Sequence, residues 1–145
     1  MPMIIIFPEG ATTNGSCMLK FKKGAFASLR PVRPLVFIYK QHFTDKIMLT
    51  QDVVGFAKHQ LLAGAIGAIT VDMDILPVFA PNDYFWENHW QKDKEEKWEA
   101  YARVMREIMA AHGGFPESEL MLDDKLAYKA ELKRIAGGEK HEKQA

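Results

Sequence analysis

The chain has very little cysteine and no excess charge of either sign. Cys17 is the only cysteine among 145 residues, which excludes an intrachain disulfide and a cysteine-based zinc site and favours a reducing compartment. Basic and acidic residues number 19 each. A protein that binds nucleic acid through its phosphates normally carries a basic excess, so no nucleic-acid partner is predicted.

Long hydrophobic runs are also lacking. The longest nearly apolar stretch, residues 61–71, has about half of the roughly 20 residues that a helix needs to cross a bilayer. Met3–Phe7 is apolar but is followed at once by Pro8, Glu9 and Gly10, which is not the pattern of a secretory leader. Contact with a membrane is therefore expected only at its surface.

What is present suffices for one packed domain, with 48% apolar and 26% charged residues. The first predicted strand is Met3–Phe7, a fully buried one. The other predicted elements are strands at Leu35–Tyr39, Lys46–Thr50 and Ile69–Val78, and helices at Val53–Ile66, Asn88–Ala111 and Ser118–Ile135. Asn82 is expected to cap a helix, and Gly113-Gly114 to end one. The pattern predicts an α/β fold, a mixed sheet flanked by helices, over residues 1–136, with a charged flexible tail at 137–145.

The segment richest in chemistry follows the first predicted strand. Pro8, Glu9 and Gly10 form a tight turn that presents one carboxylate at the sheet edge. Hydroxyl, amide and lysine side chains come next: Thr12, Thr13, Asn14, Ser16, Lys20, Lys22 and Lys23. Hydroxyls and freed backbone N–H groups can bind a phosphate, and lysines add charge. The residue types alone leave two interpretations open, a phosphate site and a common surface turn with solvated lysines.

Two ordered motifs in this region resemble conserved blocks of a known family. Phe7-Pro8-Glu9-Gly10, with the later run Phe21-Lys22-Lys23-Gly24-Ala25-Phe26, resembles the third block of the glycerophospholipid acyltransferases. The whole string EGATTNGSCMLKFKKGAF is most similar to the lysophosphatidylcholine acyltransferase branch, and Pro31–Val36 resembles the fourth block. The resemblance implies that residues 1–136 are the C-terminal part of an acyltransferase domain, whose sheet is incomplete here.

The resemblance also implies a function, the transfer of an acyl group from acyl-CoA to a lysophospholipid without a cofactor or a metal. It assigns binding of the acceptor's phosphate or glycerol to the block through Glu9 and Gly10. With the nearby hydroxyls and lysines, the substrate-binding candidates are Glu9, Gly10, Thr12, Thr13, Lys22 and Lys23. It places the protein on a membrane surface, at the cytoplasmic face of an intracellular membrane such as the endoplasmic reticulum. Ala11 and Thr12 stand where many relatives carry threonine and arginine, so the acceptor headgroup is left open.

The family's catalytic motif, a histidine followed five positions later by an aspartate (H-x4-D), occurs nowhere in the chain. In the family it precedes the third block and supplies the general base, whereas six residues precede Phe7 here. His112 with Glu117 comes nearest, but we interpret His112 as a residue at a helix end, and no catalytic residue is assigned. Two hypotheses remain: an enzyme fragment that needs its N-terminal half or a partner protein, and a non-catalytic acyltransferase-like subunit or lipid-binding module of a larger assembly.

Three further features are interpreted structurally. The aromatic residues at 84–86, 90 and 98 have helical spacing, which favours core positions over a membrane interface. The charge run Lys92–Lys97 is predicted to be an exposed helical face. Asp72 and Asp74 lie on one side of a predicted strand, but without a nearby histidine or third carboxylate they do not predict a metal site.

Overall fold

The structure, a computed structural model, describes residues 4–10, 15–41, 61, 64–65 and 69–142. Its elements are strands β1 (Leu35–Gln41) and β2 (Ile69–Ile75), helices α1 (Asp83–His89), α2 (Lys97–Gly113) and α3 (Leu122–Glu142), and one 3-10 turn at Lys23–Ala25. β1 and β2 pair antiparallel in an open sheet. The described part is thus an incomplete α/β domain, as predicted. The predicted strand at 46–50 and most of the predicted helix at 53–66 lie outside it.

The C-terminal end of helix α2 packs on one face of the sheet. Val36 of β1 is 2% exposed and shares that face with Asp74, its partner across the strands. A Cβ on Gly113 would come within 3.1 Å of the Val36 side chain, so the helix backbone approaches β1 closely. Helix α2 therefore lies on the face that bears the carboxylates of β2. The opposite face is apolar and exposed, and it carries Tyr39, Val71, Met73 and Ile75.

Tyr101 is the centre of the hydrophobic core and is fully buried. Its ring packs edge-on against Phe26, with ring centroids 5.1 Å apart. Its hydroxyl lies 3.1 Å from the carbonyl oxygen of Arg30 and 3.2 Å from that of Phe79. Burial raises the pKa of Tyr101 to about 12, so the hydroxyl stays protonated and donates to these carbonyls at neutral pH. Helix α2 thereby ties the segment before β1 to the segment after β2.

Local sequence chemistry sets two helix ends as predicted. The Asn82 side-chain oxygen accepts a hydrogen bond of 2.9 Å from the Phe85 N–H and caps α1. Gly114, with a φ of 67°, ends α2 in the left-handed conformation that glycine adopts without strain. Both signals act within a few residues, which is why the sequence suffices to locate them.

The predicted helix Asn88–Ala111 is wrong as a single helix, because the loop at residues 90–96 separates α1 from α2. The Trp90 indole N–H closes this loop by donating to the Glu95 carbonyl at 2.9 Å. Arg103 of α2 donates to the His89 carbonyl at 2.7 Å and pairs with the Glu95 carboxylate at 3.0 Å. The apolar stripe continues across the break, so its spacing could not reveal the loop. Most of the predicted helical charge face at 92–97 is this loop.

Two other predicted elements also differ. Ile4–Phe7 form no strand and are 47–79% exposed, while Met3 lies outside the described residues. A strand needs a neighbour for its backbone hydrogen bonds, and the described strands pair with each other instead. The last helix starts after the predicted Ser118, because residues 117–120 pair with residues 18–20, and it continues through Gly137 and Gly138 to Glu142. Within the described ranges, no helix has the length and apolarity to cross a membrane.

Candidate functional site

The turn at residues 8–10 is fastened to the segment that contains the lysines. The Lys22 N–H donates to the Pro8 carbonyl at 2.8 Å, and the Gly10 N–H donates to the Phe7 carbonyl at 3.2 Å. Gly10 has a φ of 67°, which a side chain would strain. A Cβ there would also lie 3.1 Å from Cδ of Lys22, so the lysine stem crosses directly over this glycine. The fold thus brings Glu9, Gly10 and Lys22 together.

The Glu9 carboxylate is half-buried and held by one backbone group. Its Oε2 accepts a hydrogen bond from the Leu19 N–H at 3.1 Å. Burial raises the pKa of Glu9 above its ordinary value of 4.5, and the Leu19 hydrogen bond opposes part of that rise. Among the described residues, Leu19 is the sole donor to this carboxylate. The other carboxylate oxygen, Oε1, accepts no hydrogen bond from the part of the chain that the structure describes.

The raised pKa of Glu9 predicts a pH-dependent effect of Glu9→Gln on stability. The folded state binds the Glu9 proton more tightly than the unfolded state, so the wild type loses stability as the pH rises above 4.5 and through the raised pKa. Glutamine carries no charge at any pH. We expect Glu9→Gln to be at least as stable as the wild type at pH 7, with the difference shrinking below pH 4.5. Urea unfolding of both proteins across this range measures it, and a glutamine variant clearly less stable at pH 7 would contradict it.

Leu19 is in turn held by pairing with the segment at residues 116–120. The Met18 N–H donates to the Pro116 carbonyl at 2.9 Å, and the Lys20 N–H donates to the Leu120 carbonyl at 3.2 Å. Successive N–H groups of an extended chain point in opposite directions. The Leu19 N–H, between these two, therefore points the other way and is available to Glu9.

Arg106 of α2 binds the segment at residues 116–120, which pairs with residues 18–20. Its side chain is 9% exposed and pairs with Glu117 at 2.8 Å. It also donates to the Ser118 carbonyl at 2.9 Å. A continuous path of contacts thus runs from α2 through residues 117–120 and 18–20 to the Glu9 carboxylate. Sequence reasoning missed Arg106, because nothing within its own helix signals a partner.

Of the remaining predicted site residues, the structure describes Lys23 alone. Lys23 lies toward the start of α2, with its Nζ 3.4 Å from the Glu96 carboxylate and 5.5 Å from the centre of the Trp98 ring. Thr12 and Thr13 lie outside the described residues. A groove of about 380 Å³ runs beside Lys22, lined by Lys20, Phe21, Lys22, Lys23, Gly24, Trp98, Met121 and Asp123. The last three come from distant parts of the chain, and no local pattern pointed to them.

His112 and Glu117, the nearest match to H-x4-D, have different partners. His112 Nε2 lies 3.0 Å from an Asp74 carboxylate oxygen, whereas Glu117 pairs with Arg106. His112 stands in the last turn of α2, which confirms its interpretation as a residue at a helix end. The carboxylates of Asp72 and Asp74, which were considered for a metal site, each have another partner. Asp72 pairs with Lys40, and Asp74 lies beside His112.

The chain is similar to several lipid acyltransferases. It is 34% identical over 131 residues to lysophospholipid acyltransferase LPEAT1 of Arabidopsis thaliana, which covers 90% of this chain and 30% of that protein. It is 31% identical over 125 residues to lysophosphatidylcholine acyltransferase 2 of Homo sapiens, and 30% over 123 residues to lysophosphatidylcholine acyltransferase of Drosophila melanogaster. Each of these two matches covers 85% of the chain and 21% of the relative. The chain therefore spans less than a third of these curated relatives. No protein-family model and no solved structure matches it.

Proposed function

Because the chain belongs to the lysophospholipid acyltransferase family, of which it spans one part, we propose that it forms the acceptor-binding portion of an acyl-CoA:lysophospholipid O-acyltransferase. The observation that carries this proposal is the Glu9 carboxylate. It is half-buried, held by the Leu19 N–H at 3.1 Å, and lies beside a glycine over which Lys22 passes. The lipid acceptor implies work at a membrane surface, and we propose the cytoplasmic face of the endoplasmic reticulum.

In the proposed reaction, the acceptor's hydroxyl oxygen attacks the thioester carbon of acyl-CoA. The new ester C–O bond forms, the C–S bond breaks, the hydroxyl proton passes to a general base, and coenzyme A leaves as its thiol after taking up a proton. The family resemblance assigns the base to the histidine of H-x4-D, which is not among these 145 residues. The contribution proposed for this chain is to hold the acceptor.

Glu9 and Lys22 bind different groups of the acceptor. Oε1 of Glu9 accepts a hydrogen bond from a glycerol hydroxyl, and the exposed Lys22 ammonium attracts the acceptor's phosphate. Gly10 lets the two residues approach along the backbone, because the Lys22 stem crosses it where a side chain would stand. Thr12 and Thr13 are proposed as further phosphate donors because they follow the turn closely and their hydroxyls can bind a phosphate. Lys23 is included in the proposed phosphate site because it lines the same groove as Lys22.

A chimera tests this function. The 145-residue chain replaces the matching region of the Arabidopsis relative, and transfer of labelled acyl groups from acyl-CoA to a panel of lysophospholipids is measured. We expect the chimera to transfer and the 145-residue chain alone not to, because the chain has no H-x4-D base. A folded chimera that binds lipid without transfer would favour the non-catalytic module. Transfer by the chain alone that is lost in His112→Ala would place the base at His112.

A further inference from the structure

A right-angled pair of tryptophans lies beside the start of α2, apart from the residues assigned to the acceptor. The rings of Trp86 and Trp90 have centroids 6.4 Å apart and planes at 82° to each other. The ammonium of Lys97 lies over both rings, 5.3 Å from the Trp86 centroid and 4.9 Å from that of Trp90. Lys92 lies over Trp90 as well, at 5.6 Å. The two perpendicular rings thus share one cation, Lys97, and Trp90 lies under a second, Lys92.

The two rings are positioned by contacts other than the lysine. Trp86 packs edge-on against Phe85, with centroids 4.8 Å apart, and Phe85 is 4% exposed. The Trp90 indole N–H donates to the Glu95 carbonyl at 2.9 Å. Both tryptophans remain partly accessible to solvent, and Lys97 is exposed. The corner is therefore preformed, and water can solvate the lysine when it leaves.

The faces of aromatic rings attract cations, and aromatic cages bind quaternary ammonium ligands in this way. A primary ammonium is strongly hydrated, and contact with the ring faces displaces part of that water. A trimethylammonium group is hydrated more weakly, and its methyl groups pack against both faces. We propose that Trp86 and Trp90 form a binding corner for a trimethylammonium group, which Lys97 occupies when the ligand is absent.

The surroundings of the corner suit a zwitterionic ligand such as phosphocholine. Once displaced, the Lys97 ammonium joins that of Lys92 next to the corner, where both can meet the ligand's phosphate. Trp98, which follows Lys97 in the sequence, lines the groove beside Lys22. The corner and the groove therefore both lie at the start of α2. Binding at the corner requires no acyl transfer and is therefore tested independently of the proposed function.

Titration with phosphocholine, followed by NMR of the indole N–H signals of the 15N-labelled chain, tests the proposal. The chain has three tryptophans, and Trp98, which lines the groove beside Lys22, reports separately on binding in that groove. We expect the Trp86 and Trp90 signals to shift with a common Kd while Trp98 shifts less. Phosphoethanolamine has the same phosphate but a primary ammonium in place of the trimethylammonium. It is expected to bind about tenfold more weakly than phosphocholine. Equal affinity for the two compounds, or the same shifts with inorganic phosphate, would show that the lysines bind the anion, and would overturn the proposal.

Variants separate the roles of the rings and of the lysine. Trp90→Leu should weaken phosphocholine binding about tenfold, with its far-UV circular dichroism unchanged. Lys97→Gln keeps both rings and empties the corner, so it should tighten binding about three- to tenfold. Lys94→Gln, in the same loop but over no described ring, is the matched control and should bind as the wild type does. Absence of a shift at Trp86 and Trp90 in both the wild type and Lys97→Gln would refute the corner.

The source of the trimethylammonium group is distinguished with vesicles. Sedimentation of the chain with phosphatidylcholine vesicles, reversed by free phosphocholine, would identify a lipid headgroup as the ligand. NMR binding of phosphocholine without sedimentation would identify a soluble ligand. Either result supports the corner, and sedimentation that Trp90→Leu leaves unchanged would count against it.

Discussion

Glu9→Gln in the active chimera is expected to lower kcat/KM about a hundredfold, which corresponds to about 2.7 kcal/mol of transition-state binding. The substitution keeps the size of the side chain and its ability to accept the Leu19 N–H. It removes the negative charge that would strengthen the hydrogen bond from the acceptor hydroxyl in a half-buried site. A hydrogen bond to a charged group contributes about 1.5–3 kcal/mol, which agrees with the expected loss.

Two controls connect that loss to the acceptor. Glu131→Gln makes the same chemical change on exposed helix α3 and should leave kcat/KM unchanged. Urea unfolding at pH 7, where Glu9→Gln is expected to be at least as stable as the wild type, tests whether unfolding accounts for the loss of activity. A chimera that keeps full activity with Glu9→Gln would show that the carboxylate only shapes the turn.

Arg106→Met is expected to lower the free energy of unfolding by about 2–3 kcal/mol. The guanidinium is 9% exposed and pairs with Glu117, which is about one-third exposed. Methionine fills similar space but leaves that carboxylate without its partner and the Ser118 carbonyl without its donor. Since Glu117 can still reach water, the expected loss is below that of a fully buried pair. Urea unfolding of the chain measures it.

Arg106→Met should also disturb Glu9 at a distance, which a purely local loss of stability would not do. The path through residues 117–120 and 18–20 predicts a change in the amide NMR signal of Leu19 and in the titration of Glu9. Arg103→Met is the matched control, because this arginine lies on the same helix but contacts Glu95 and the His89 carbonyl. If the Leu19 amide is unaffected by Arg106→Met, or responds equally to Arg103→Met, Arg106 does not position Glu9.

The sequence by itself determined the features whose physical cause is local. The turn at Pro8–Gly10, the Asn82 cap and the Gly114 helix end each depend on residues a few positions apart, and the structure contains all three. The strands Leu35–Gln41 and Ile69–Ile75 were also predicted, with small shifts at their ends. The motif resemblance identified the family, which the acyltransferase relatives confirm.

The tertiary structure decided every contact that joins distant residues. Leu19 donates to Glu9 because residues 116–120 pair on its other side, and Arg106 holds those residues from α2. The Trp86–Trp90 corner lies where α1 ends and the loop at residues 90–96 begins, and Arg103 links Glu95 to the His89 carbonyl there. Ile4–Phe7 are exposed for a related reason. A strand is stable only beside a neighbour, and hydrophobicity alone does not say whether the described chain provides one.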